Sequence, residues 1–230
     1  MKFETLKELN AERAARRPVI IVTDTANGEQ RLVKAADIAA DPLRAELAKQ
    51  LRMGKSGNVE AGGKKLFLNV YAPTAKLVIV GAVHISQALA PLARSLGYDV
   101  TVVDPRTAFA SPERFPDVPL VAEWPDTALP PLNVDAYTAF VAVTHDPKID
   151  DPGLDAALKS DCFYIGALGS RKTHGRRLER LKEQGATDLA LARIHAPIGL
   201  PIGAISPPEI AVAIMGEITI RLRLTPEGKR

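Results

Sequence analysis

From residue 76 onward the chain repeats one pattern: a short apolar run, a turn marked by glycine, proline or a polar cluster, then an amphipathic stretch. "KLVIV", "YDVTVVD", "LVAEW", "AYTAFVAVTHD" and "CFYIGALG" read as five strands with helix patterns between them. Strands that alternate with helices pair in parallel, and helices on both faces demand strands that are apolar on both sides. The fold class is α/β: a parallel sheet with helices on both faces over residues 74–230. Asp151 and Pro152 are expected to start one of its helices. Ser206, Pro207 and Glu209 form a capping box before a last helix that is apolar nearly all round, which calls for burial in the core or at a subunit contact.

Residues 1–73 follow another rhythm and read as a small N-terminal α/β unit. A helix over residues 3–16 stops before Pro18, and "VIIV" is a strand followed by an Asn-Gly turn and a partner strand over residues 31–34. Asp41, Pro42 and Gly54 bracket a second helix. "GKSGNVEAGGKK" reads as a glycine-rich loop before the strand "KLFLNVYAP".

Composition narrows the function. A net charge of +3 suits an anionic ligand and is too small to argue for nucleic acid; 5% aromatic residues offer no stacking platform for single strands. The single cysteine, Cys162, lies in the strand-like run "DCFYIGA" and reads as an inert buried thiol. No run approaches the roughly 20 apolar residues of a membrane span, and the charged start lacks the apolar core of a signal peptide. A cytoplasmic protein without membrane or nucleic-acid partners is the expectation. No set of cysteine, histidine and carboxylate has the spacing of a metal site.

Ligands of parallel α/β sheets collect at the carboxyl ends of the strands. Those ends carry Gly81 and His84, Asp104 with Arg106, Thr144-His145-Asp146, and Gly166, Gly169, Ser170 and Arg171. "GAVHIS" has the position of a dinucleotide-binding turn in a Rossmann-like domain, and Asp104 follows at about the 20 residues of a ribose-binding acid. Val83 stands where that turn has its second glycine, so the dinucleotide cradle is compromised. In "YIGALGSRKTHGRR" the glycines allow close backbone approach, and the helix start with Arg171 and Lys172 favours an anion. Arg176, Arg177, Arg180 and Lys182 continue as a solvated basic face. His145 and Asp146 have the chemistry to hydrogen-bond a ligand or move a proton, but no nucleophile stands at a defined spacing, so catalytic residues are unknown. His195, in "HAPIGL", serves equally well as a structural or a ligand-binding histidine.

"GAVHISQALAPLARSLGYDVTVVDPR", "FVAVTHD", "YIGALGSRKTHGRRLERL" and "IHAPIGLPIGAISPPEIAVAIMGEI" together resemble the XdhC/CoxI family, accessory proteins of molybdenum hydroxylases such as xanthine and carbon monoxide dehydrogenase. The resemblance implies a chaperone, more than a catalyst, that binds molybdenum cofactor (a phosphate-bearing pterin), helps it mature and delivers it to the apo-enzyme. It carries the family's site onto Gly81, His84, Asp104, Thr144, His145, Asp146, Gly166, Gly169, Ser170 and Arg171. Two departures stand out. The family's "GAGH" is "GAVH" here, and its N-terminal cysteine-glycine segments are represented only by "EAGGKK". That pattern implies a short form, working beside a full-length relative. A homodimer is expected from the apolar last helix. The alternatives are an NAD(P)-binding oxidoreductase and a ligand-free docking scaffold.

Overall fold

The structure is a computed structural model that describes residues 1–224. It divides into two compact units between Pro73 and Thr74.

The N-terminal unit is a four-stranded antiparallel sheet. Helix α1 (Phe3–Ala14) leads into β1 (Val19–Asp24) and β2 (Gln30–Lys34); after a 3-10 turn come α2 (Arg44–Met53), β3 (Gly57–Ala61) and β4 (Lys64–Tyr71). The strand order is β2-β1-β4-β3. β1 is apolar on both sides because both are covered: Ile20 and Val22 pack with Leu47 of α2, and Val19 and Ile21 with Leu9 of α1. Two expectations change here. "GNVEA" is strand β3, paired with β4 through a tight Gly62-Gly63 turn, so the glycine-rich segment is half strand; the flanking glycines hide its alternating half-buried pattern. Asp41 is not the cap of α2; its carboxylate accepts the Leu43 N–H at 2.9 Å, and the helix begins at Arg44.

The C-terminal unit runs β5 (Lys76–Val80), α3 (His84–Ser95), β6 (Asp99–Val103), β7 (Leu120–Val121), α4 (Pro125–Leu132), β8 (Thr138–Ala142), α5 (Pro147–Leu158), β9 (Tyr164–Ala167), α6 (Arg171–Glu183), α7 (Asp188–Leu191), β10 (Ile194–His195) and α8 (Pro207–Arg223). Its six strands are all parallel in the order β10-β9-β8-β5-β6-β7. That is the doubly wound order, and the chain reverses direction across the sheet between β5 and β8. Alternate residues of β5 explain its continuous apolar run. Leu77 and Ile79 face α3 and α8 through Leu89, Ala93, Ile214 and Ile218; Val78 and Val80 face the other layer through Leu129, Ile149, Leu154 and Leu181.

The helix after β8 begins at Pro147 with Asp146 as its cap, not at Asp151 and Pro152; the Asp146 carboxylate accepts the Lys148 N–H at 3.0 Å. α8 starts as its capping box requires, Glu209 accepting the N–H groups of Ser206 at 2.8 Å and Ile205 at 2.9 Å. One side of α8 is buried within the unit, and Val212 on the other side is exposed. Among the described residues no helix is long and apolar enough to cross a membrane.

Candidate functional site

The reversal point brings two turns into contact. Gly81 leaves β5 at φ +117°, and a Cβ there would lie 2.7 Å from the Thr144 methyl and 3.2 Å from the Thr144 nitrogen. Glycine at 81 is therefore what lets the β5 and β8 turns approach. Ser86 is buried and donates its hydroxyl to the Gly81 carbonyl.

Asp104, at the end of β6, is fully buried. Its carboxylate accepts the Ala82 N–H at 2.7 Å, the Arg106 N–H at 2.9 Å, and the Arg106 guanidinium at 2.7 and 2.9 Å. Burial pushes its pKa up, but the hydrogen bonds from Arg106 and Ala82 outweigh it and hold the group below the usual carboxylate range. Both oxygens are engaged within the protein, so Asp104 clamps the β5 turn. Arg106 in turn lies over the Phe109 ring at 4.5 Å.

After β8, the Thr144 hydroxyl donates to Asp150 at 2.6 Å and accepts the Asp146 N–H at 3.0 Å. His145 is exposed, held at φ +67° by this turn. An unstrained L-residue avoids that region, at a cost of about 1–2 kcal/mol.

The β9 end separates the four residues expected there. Gly166 is inside the strand, and the space of its missing side chain is filled by Ile198, 2.5 Å from a would-be Cβ. Its glycine is explained by packing. Gly169 sits in the turn at φ +136°, Ser170 caps α6 by accepting the Thr173 N–H at 3.2 Å, and Arg171 is exposed in the first turn.

Three helices thus start at this edge with different caps. α5 has the negative charge of Asp146 at its start, and α6 has the neutral hydroxyl of Ser170. α3 has Val83 as its N-cap residue and no side-chain cap at all; the valine side chain packs on the core. The first N–H groups of a helix have no intrahelical partner and carry its positive end. Of the three, α3 alone starts without a side-chain cap, and His84 is exposed in its first turn.

Two constellations are not visible in the sequence. Arg177 belongs to the run that reads as a solvated basic face, yet it is 2% exposed. Its Nη2 donates to the Leu168 carbonyl at 2.8 Å and lies 3.7 Å from the Asp150 carboxylate, itself 1% exposed. Burial pushes the Asp150 pKa up and the Arg177 pKa down, and each opposes the shift of the other. Arg180 is no free cation either: it pairs with Asp151 at 2.5 Å. The acids at 150 and 151 are the signal that could have found them, since two carboxylates on an apolar helix face need cations opposite them. The second constellation joins Tyr164, His195 and Glu217. Its members are scattered over the chain, and β10 is too short to register as a strand.

Cys162 is buried and its thiol is pushed up to about 11 by that burial, in keeping with an inert thiol. Among the described residues no group of three or more His, Cys, Asp or Glu could hold a metal ion. In the N-terminal unit, the "EAGGKK" lysine Lys64 pairs with Asp24 at 3.4 Å.

Comparison with known proteins places the chain in a family. Residues 77–218 match the XdhC Rossmann domain. The chain is 33% identical over 159 residues to the uncharacterised protein YqeB of Escherichia coli, covering 68% of this chain and 29% of that protein. It is 31% identical over 153 residues to the E. coli molybdenum cofactor insertion chaperone PaoD, covering 66% and 42%. To a probable xanthine dehydrogenase subunit of Bacillus subtilis it is 30% identical over 154 residues, covering 66% and 44%. The matched region therefore spans less than half of each relative. A solved structure described as a xanthine dehydrogenase from Bacillus halodurans has the same fold, with a TM-score of 0.70 at 22% identity over 96% of this chain and 67% of that one. With the doubly wound sheet, its reversal-point turn and this match over residues 77–218, the chain belongs to the XdhC family.

Proposed function

We propose that this chain is an accessory protein that binds molybdenum cofactor, assists its maturation and hands it to the apo-form of a molybdenum hydroxylase in the cytoplasm. The observation that carries the reading is the uncapped start of α3 at the sheet's reversal point, beside the exposed His84 and His145. A phosphate monoester on a pterin is the anion this helix end would hold, with Arg171 and the turn at Gly169 and Ser170 across the crevice. Thr144 and Asp146 shape the facing turn; Gly81, Asp104 and Gly166 keep the backbone in place. The E. coli relative named as a molybdenum cofactor insertion chaperone supports the cargo. Exposed Ile202, Ile205 and Val212 support a homodimer.

An NAD(P)-dependent oxidoreductase is the weaker reading. A ribose diol needs a free carboxylate at the end of β6, and Asp104 is buried under Arg106.

The test is a thermal-shift titration with molybdenum cofactor released from a donor enzyme, run beside NAD and NADP. A ligand that binds only the folded state stabilises it by about 2.7 kcal/mol at a hundredfold excess over its Kd. A shift with the cofactor alone is the expected result. A shift with NAD or NADP alone would move the protein to the oxidoreductases, and silence from all three would leave a docking scaffold.

A further inference from the structure

Tyr164, His195 and Glu217 come together at the carboxyl end of the edge strand β10, a place to which the crevice turns do not contribute. His195 stands opposite Gly166 in the parallel register, and its ring stacks on that of Tyr164 at 4.9 Å and 22°. Nδ1 of His195 is 2.8 Å from one oxygen of Glu217. The other oxygen accepts the Tyr164 hydroxyl at 2.7 Å and the Gly199 N–H at 2.8 Å.

That carboxylate decides the state of the imidazole. Burial pushes the Glu217 pKa up, but the hydrogen bonds from His195, Tyr164 and Gly199 bring it down to about 2. An ionised carboxylate only accepts, so Nδ1 is the donor, and in the neutral form of the ring it is Nε2 that carries the lone pair. Arg221 comes within 3.3 Å of Nδ1 and, as a donor only, would favour a bare Nδ1; the shorter 2.8 Å contact to the carboxylate prevails and keeps the proton on Nδ1. Nε2 has no protein partner among the described residues and is not among the buried unpartnered atoms; the side chain is 20% exposed. The ring is thus clamped at one nitrogen and open at the other.

We propose that His195 is a ligand-contact residue whose Nε2 accepts a hydrogen bond from an N–H of the bound heterocycle, with Glu217 as the positioning residue that fixes the tautomer. This rests on the cofactor reading above and deepens it. β10 stands three strands from β5, or about 14 Å at the usual strand spacing. A ligand touching both His195 and the start of α3 must therefore be extended, with a phosphate at one end and an N–H-bearing ring at the other. A lone phosphate cannot reach both.

The experiment is equilibrium binding of molybdenum cofactor released from a donor enzyme to the wild type, His195→Phe, His195→Gln and Glu217→Gln. Ring 15N NMR and melting temperatures are recorded for each. Phe keeps the stacking on Tyr164 without an acceptor, and Gln restores one. His195→Phe should lose at least about tenfold in affinity, as one hydrogen bond to a desolvated partner is worth, and His195→Gln should recover most of it. Glu217→Gln should move the ring proton to Nε2 and weaken binding to a similar degree. In the wild type the His195 Nε2 resonance should shift when cofactor binds, a readout that needs no variant to fold. Wild-type binding with an unmoved Nε2 signal, or with His195→Phe within twofold, overturns the inference and leaves the cofactor reading intact. Equal losses in Phe and Gln would make His195 a structural latch. No cofactor binding to the wild type overturns both.

Discussion

The hydroxyl of Thr144 donates to the carboxylate of Asp150 at 2.6 Å, and behind that carboxylate, 3.7 Å away, lies the buried guanidinium of Arg177, which also donates to Leu168. One buried ion pair therefore ties the turn after β8 to the turn after β9. These are the two loops expected to face the ligand from the α5 and α6 side.

Arg177→Met removes one half of that pair and strands Asp150. It should cost about 3–5 kcal/mol in chemical denaturation, the usual result of leaving a buried charge uncompensated. Adding Asp150→Asn should recover at least half of the loss, because the pair is coupled. Additive losses in the double mutant would show that the two groups do not interact.

Gly81→Ala forces a Cβ to within 2.7 Å of the Thr144 methyl at a φ of +117°. Strain of this kind costs about 1–3 kcal/mol, and the turn must also shift to relieve the contact. The variant should melt earlier and bind cofactor more weakly. An unchanged melting temperature would mean the two turns are not in contact.

His145→Gly separates stability from binding. Glycine at φ +67° relieves about 1–2 kcal/mol of strain and adds about 0.5–1 of unfolded-state entropy. The variant should gain about 0.5–1 kcal/mol while losing affinity for the cofactor. A gain in stability with affinity intact would remove His145 from the contact set.

Arg171→Ala should weaken cofactor binding more than Arg180→Ala. Arg171 is exposed in the first turn of α6, whereas Arg180 is held by Asp151 and its loss should appear as destabilisation. Equal effects on binding would undo that division.

The acid end of the stability curve should belong in part to Glu217. Its folded pKa of about 2 lies below the ordinary value of 4.5, so the carboxylate's contribution is fully present above about pH 4.5 and is lost as pH falls towards 2. Glu217→Gln should therefore cost on the order of 3 kcal/mol at pH 7 and progressively less in titrations at pH 4 and 3. A cost independent of pH would contradict the ionised, triply bonded carboxylate.

The sheet was legible because strands buried on both faces are continuous apolar runs, and the glycine and polar clusters marked the strand ends; the strand order, and with it the reversal point, came from the structure. What the sequence hid was either short or distant. β10 has two residues and no periodicity to detect, and α4 carries Pro130 and Pro131, residues that break a helical pattern. Arg177 looks like its exposed neighbours because helical phase alone does not show which cation turns inward; only its match with Asp150, on another helix, does. Asp104 is found by spacing, but spacing does not reveal that Arg106, two residues on, occupies it.

The most direct test lies at Val83, the N-cap residue of α3. Asn and Asp both cap a helix well, but only Asp brings a negative charge to the place where a phosphate would sit. Equilibrium binding of released molybdenum cofactor should be compared for the wild type, Val83→Asn and Val83→Asp, each shown to be folded by circular dichroism. Val83→Asp is predicted to lose at least about tenfold relative to Val83→Asn. Equal affinity in the two variants would mean that no anion approaches the start of α3, and would contradict a cofactor phosphate at the reversal point.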